Sequence, residues 1–150
     1  MNCKCATEFE VRLARLDDYK PFKRVLDIGK HPAFIGRGTF TNCCTNGGAL
    51  FYFYDGSAAA VSMISPRLGS LGALNVHPSH RGHGLGSAIV RFLVPNFIRA
   101  IDDKVPYFQR LGYVPVGKPH KGISRLTQLM VRECLIGLAG KVAKAFPASI

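Results

Sequence analysis

The chain has 150 residues, 47% of them hydrophobic and 19% charged, which excludes a disordered polymer and allows one domain with a full core. Twenty Lys and Arg stand against nine Asp and Glu, and residues 104–150 hold eight of those bases against the one acid Glu133, a balance that favours anionic partners such as nucleic acid, an acidic protein or a phosphorylated cofactor. No apolar run reaches the roughly 18 to 20 residues that span a bilayer, and the N-terminus lacks the apolar stretch of a signal peptide, so a soluble, cytosolic protein without a membrane partner is expected.

Residues 8–15 alternate Phe9, Val11 and Leu13 with charged residues, the pattern of a strand with one buried face. Asp17 and Asp18 then suit a helix start, Pro21 fits only its first turn, and Gly29 ends it. Residues 31–48 are rich in Gly, Asn and Thr and read as a loop or broken helix. The run 49–66 holds two strands around Asp55-Gly56, a strong hairpin signal. In its "FYFY", Phe51 and Phe53 share one face and Tyr52 and Tyr54 the other; core packing accounts for one pair, and the other lines a cleft or lies half-exposed.

A third strand covers 70–77. From Gly84, Leu85, Ile89, Phe92 and Leu93 recur at helical spacing until Pro95. A short strand at 96–101 leads to acidic Asp102 and Asp103, which cap a helix ending at Gly112 or orient an acceptor amine, and strands follow at 113–117 and 124–134. Residues 135–150 form a basic tail, with an amphipathic turn or helix over 135–146. The order predicts an α/β (α+β) fold in a single domain over 1–150. Its sheet is mixed and mostly antiparallel, of about six to seven strands, with about four helices. The five cysteines, Cys3, Cys5, Cys43, Cys44 and Cys134, match neither a disulfide framework nor metal-ligand spacing, so reduced thiols and no metal are expected.

The segment "VHPSHRGHGLGSAIV" (76–90) puts three glycines, Gly82, Gly84 and Gly86, between a strand and a helix. A Walker A loop is ruled out, because no lysine follows Gly86. The spacing GxGxG, five residues after Val76, does not suit a dinucleotide fingerprint. What remains is a turn feeding a helix N-terminus, whose unpaired amides converge on an anion such as a diphosphate, with Arg81 beside them.

This segment resembles the acyl-CoA loop of the GNAT N-acetyltransferase superfamily, V-x-P-x-x-[RQ]-G-x-G-[LIVA]-G, at Val76, Pro78, Arg81, Gly82, Gly84, Leu85 and Gly86. The later "VPYFQRLGYVPVG" is similar to the family's second landmark, an aromatic pair ahead of Gly-aromatic. The resemblance implies a sheet splayed between "ALNV" and "NFIRAI", with acetyl-CoA (coenzyme A) in the gap. Pantetheine would lie on the backbone of Leu74 and Val76, and the pyrophosphate on Arg81, Gly82, His83, Gly84, Leu85, Gly86 and Ser87.

It also implies an acetyl-CoA-dependent N-acyltransferase that moves an acetyl group to a primary amine of a small molecule, peptide or protein. Two departures stand out: the strand before the loop has no carboxylate, and Phe108 occupies the family's tyrosine position. Tyr107 or Tyr113 then serves as the acid, or water or an amine of low pKa dispenses with the base, or the protein binds acyl-CoA without ordinary transfer. The basic last third keeps a nucleic-acid-directed acyltransferase open, modifying tRNA or a DNA base as phage-type members do. A homodimer through a sheet edge is the family habit. His31 is placed on the acceptor side, and His77, His80 and His83 are solvated loop residues or phosphate contacts.

Overall fold

The computed structural model describes residues 8–28, 35–121 and 126–135. Among these the strands are β1 (Glu10–Leu13), β2 (Ala49–Tyr54), β3 (Ser57–Ser65), β4 (Ser70–Val76), β5 (Phe97–Ile101), β6 (Tyr113–Pro115), β7 (His120–Lys121) and β8 (Leu126–Arg132). The helices are α1 (Tyr19–Ile28), α2 (Arg37–Thr45), α3 (Leu85–Leu93) and α4 (Val105–Arg110). One sheet runs β1-β2-β3-β4-β5-β8-β6, with β7 on β8. Every pairing is antiparallel except β4 with β5. The mixed, mostly antiparallel architecture is the expected one, with the pair β7 added. The segment 31–48 resolves in part into α2. Gly29, His31, Cys3, Cys5 and the tail beyond Leu135 lie outside the described residues. Among the described residues no helix is long and apolar enough to cross a membrane.

Both faces of the sheet are covered. On one, Phe22, Val25 and Leu26 of α1 and Phe40 of α2 pack on Phe51, Val61, Met63 and Ala73. On the other, Leu85 and Ile89 of α3 pack on Leu50, Tyr52 and Ala60, while Val90 meets Leu71, Ile98, Ala100, Tyr113 and Met130. Both pairs in "FYFY" are therefore packing residues: Phe51 and Phe53 lie under α1 and α2, Tyr52 and Tyr54 on the α3 side. The hairpin turn has positive φ at Asp55 (54°) and Gly56 (79°), the backbone that Asp-Gly supplies. Three buried polar side chains are paired: Tyr52 Oη with Ser62 Oγ at 2.7 Å, Asn75 Nδ2 donating to Leu26 O at 3.1 Å, and Tyr113 Oη donating to Pro95 O at 2.6 Å; Arg132 Nε is buried without a partner among the described residues. The expected buried face of β1 is a correction. Val11 and Leu13 are exposed, because β1 is an edge strand and the α3-side cluster takes in Phe9, which also meets Phe92, but not these two. Cys43, Cys44 and Cys134 are free thiols.

The centre of the sheet does not close. β4 and β5 pair only at Ser70↔Phe97 and Leu71↔Ile98. Just below, Gly69 O accepts from Asn96 N (2.7 Å) and Phe97 N (3.2 Å), and Arg132 Nη2 donates to Asn96 Oδ1 at 2.5 Å. Just above, the register on β3 shifts from Ile64↔Leu71 to Met63↔Ala73, leaving Gly72 as the extra residue of a bulge. The bulge bends β4 and turns Leu71 and Ala73 to opposite faces. The strands are thus fastened at one end and open at the other.

Two glycine substitutions should separate crowding from conformation. A Cβ on Gly48 would sit 1.9 Å from Ile64 O, so Gly48→Ala is expected to lose about 2–3 kcal/mol in urea unfolding. Gly38, in α2 with nothing within 4 Å of its added Cβ, should gain about 0.5–1 kcal/mol as Gly38→Ala. Burial pushes the phenols of Tyr52 and Tyr113 up to about 12. The unfolded chain ionises first, so their contribution to stability is whole below pH 10 and is lost as pH rises towards 12. Urea midpoints across that range should fall, and fall less in Tyr113→Phe.

Candidate functional site

The gap between β4 and β5 is a cavity of about 820 Å³. Its walls are residues 71–76 of β4, 98–101 of β5, the loop and first turn of α3, Tyr107 and Phe108 of α4, and Thr127 of β8. His77 N donates to Ala59 O at 2.7 Å, which makes 77 and 59 a bonded pair across β3 and β4. By the alternation of an antiparallel ladder, Leu74 and Val76, opposite Ser62 and Ala60, turn their N–H and C=O groups away from β3, towards the gap. A strand edge of two cavity-facing residues thus lies open to an extended ligand.

At the top of β4 the chain makes a tight turn, Pro78–His80. His77 Nδ1 is engaged with Ser79, at 3.1 Å to N and 2.7 Å to Oγ. Gly82 and Gly84 follow with φ of +81° and +77°. Nothing lies within 4 Å of a Cβ built on either, so backbone conformation, not crowding, demands glycine there. Ala88 N closes the first turn of α3 on Gly84 O at 3.0 Å, which leaves the amides of Leu85, Gly86 and Ser87 to open the helix. Gly86 has a different reason: its Cβ would approach Tyr107 Oη to 3.1 Å. That hydroxyl bonds Ser87 Oγ at 2.9 Å, tying α4 to the start of α3.

Leu74, Val76, Arg81, Gly82, Gly84, Leu85, Gly86, Ser87 and Tyr107 all meet at this one cavity. Arg81 Nε donates to Val76 O at 3.0 Å, so the guanidinium lies back over the loop and takes one of the open carbonyls. His83 is exposed in the loop and does not line the cavity. Tyr113 is outside it as well, its hydroxyl held by Pro95 O in the core. Phe108, at the place where the resemblance expects tyrosine, lines the cavity and packs towards Tyr113 with ring centroids 6.4 Å apart. Asp102 and Asp103 occupy the short turn before α4.

No aspartate or glutamate is among the described residues of the wall, whereas Arg81, Arg99 and Lys104 are. Arg99 and Lys104 were not singled out by sequence. The signal was present in "FIRAI": Ile98 and Ala100 go to the core, so strand alternation sends Arg99 to the other face. Of the eight bases in the last third, Arg125, Lys141 and Lys144 lie outside the described residues.

Residues 51–109 match the family model of FR47-like proteins. No curated protein matches the sequence. Among solved structures, Arabidopsis thaliana Naa50 in complex with the bisubstrate analogue CoA-Ac-MVNAL is similar with a TM-score of 0.67 at 11% identity, over 81% of this chain and 96% of that one. The ribosomal-protein-S18-alanine N-acetyltransferase of Escherichia coli gives 0.63 at 15% identity, over 82% and 92%. The PaiA N-acetyltransferase of Thermoplasma acidophilum, in complex with coenzyme A, gives 0.59 at 9% identity, over 83% and 99%. At such identities the structural likeness is one of fold, and it coincides with a family match over the segment that holds the loop. The chain has the fold of these N-acetyltransferases, and its residues 51–109 are similar to the FR47-like family model.

Proposed function

We propose that this protein is an acetyl-CoA-dependent N-acyltransferase acting on a primary amine. One observation carries the reading: the open edge of β4 and the glycine-built N-terminus of α3 face the same cavity. The residues fit the cofactor, since the space over Gly82 and Gly84 is open and the first-turn amides of α3 face it. In this reading the backbone of Leu74 and Val76 holds pantetheine as an added strand, once Arg81 swings off Val76 O. The amides of Gly82, Gly84, Leu85, Gly86 and Ser87 hold the diphosphate. Acetyl-CoA, when bound, supplies the activated acyl group.

The chain's own groups do the rest. A cavity-facing N–H of β4 is suited to polarise a carbonyl beside it. Tyr107 Oη, already in a hydrogen bond with Ser87 Oγ and within the cavity wall, is the proton donor to a leaving thiolate. With no carboxylate among the described wall residues, the acceptor gives up its proton to water, so its own basicity governs the rate.

Calorimetry with acetyl-CoA tests the cleft. Gly84→Val, which forces a β-branched residue into left-handed backbone, should weaken binding at least about tenfold while the domain still unfolds cooperatively. An unaltered affinity would remove the loop from the site. Tyr107→Phe should lower kcat by about 100-fold or more with acetyl-CoA affinity kept. Tyr113→Phe should instead cost stability and leave kcat within about twofold. Equal turnover in wild type and Tyr107→Phe would exclude the phenol as acid.

A further inference from the structure

Arg99 lies in the middle of β5, half-buried, and its residue forms part of the cavity wall. Its neighbours Ile98 and Ala100 pack with Val90 of α3. Its own side chain therefore stands on the opposite face of the sheet, the face of α1 and α2, where Ala73 joins their core and Asn75 bonds Leu26 O. The glycine loop and α3 are on the other face. Arg99 is thus directed away from the proposed diphosphate site, on the side of the opening that the cofactor's phosphates would leave to a second substrate.

The guanidinium has no partner there among the described residues. Among the described residues the ion pairs are Arg12 with Asp18 and Lys23 with Asp27, and no hydrogen bond or carboxylate engages Arg99. Lys104, exposed in the turn that follows β5, adds a second positive charge to the rim. Half-buried arginine without an anion forgoes the bidentate hydrogen bonds its planar fork is shaped for, while keeping part of the desolvation cost. Among the described wall residues every charged side chain is basic, which disfavours the ammonium form of an amine held nearby.

We propose that Arg99 is a specificity residue that binds a carboxylate of the acceptor, so that the preferred acceptor is an amine with a carboxylate a few bonds away. The carboxylate comes either from a free amino acid or from an acidic residue at the start of a peptide. The inference rests on the acyl-transfer reading and names the acceptor class for that same site. Lys104 contributes at longer range, and Arg99 supplies the directional contact.

The test pairs acceptors that differ only in the carboxylate: alanine with alaninamide, and Asp-Ala-Ala-amide with Asn-Ala-Ala-amide. Spermidine and a DNA oligonucleotide complete the panel. At least one carboxylate member should exceed its amide partner in kcat/KM by about 10- to 100-fold. Arg99→Gln should erase that preference mainly through KM, Arg99→Lys should restore part of it, and acetyl-CoA affinity should stay within about twofold in both. A preference that survives Arg99→Gln overturns the inference, as does a panel led by the amides, spermidine or the oligonucleotide. Binding of N-acetylaspartate against N-acetylasparaginamide reads the same subsite without turnover. Selective binding that depends on Arg99, in a protein that does not bind acetyl-CoA, would sink the transfer reading and keep the anion subsite. Unselective binding in a protein that does bind acetyl-CoA would do the reverse.

Discussion

Two residue pairs hold β4 to β5, and beyond them the strands diverge. The rest of the molecule is arranged around that partial pairing. A closed sheet would satisfy its own peptide groups and leave nothing to offer; an open one must keep its exposed N–H and C=O groups in contact with water or a ligand. The closed end is over-determined. Gly69 O takes two amides, Asn96 is gripped by Arg132, and the left-handed φ of +67° at Gly69 lets the turn pass close to Asn96. The open end is propped by separate parts. α3 packs along β2 and β3, and the Tyr107–Ser87 bond spans from α4 to its first turn.

The opening joins two faces that differ in chemistry. The α3 and α4 face presents helix amides and glycine backbone, a neutral scaffold with partial positive charge suited to a diphosphate. The α1 and α2 face presents Arg99, a full charge on a rigid strand. Between them runs the edge of Leu74 and Val76. A thiol-bearing arm laid along that edge would pass from one face towards the other, which is the geometry that an acyl donor and an amine need in order to meet. The bulge at Gly72 sits where β4 leaves β5 and sends Ala73 to the α1 side. That bend is what opens the passage.

The missing carboxylate and the phenylalanine at 108 have one structural context. Phe108 is partly absorbed into the core with Val90, Ile98 and Tyr113, while the preceding residue, Tyr107, carries a hydroxyl to the start of α3. The phenol stands one position before the place where the resemblance expects it, and Gly86 leaves it room. On the other face, the charged side chain beside the opening is Arg99 of β5.

Local order was legible in the sequence wherever a residue type answers a backbone requirement. Asp55-Gly56 marked the hairpin, Pro95 the end of α3, and Gly82 and Gly84 the left-handed turn before it, because few residues tolerate those φ values. The loop that resembles the GNAT pattern was legible for the same reason, and with it the place of the cavity. Decisions that depend on what packs where were not. The alternation in β1 predicted burial of Val11 and Leu13, but the cluster on the α3 side takes in Phe9 and stops short of them. Tyr113 and Tyr107 carry the same chemical group, and only the packing of α4 and β6 sends one to Pro95 in the core and the other to Ser87 beside the cavity. Arg99 read as one base among twenty until the sheet opened next to it. Backbone propensity acts within a few residues and is written in the chain. Which side of a sheet is covered, and where two strands part, is settled by contacts between segments far apart in sequence.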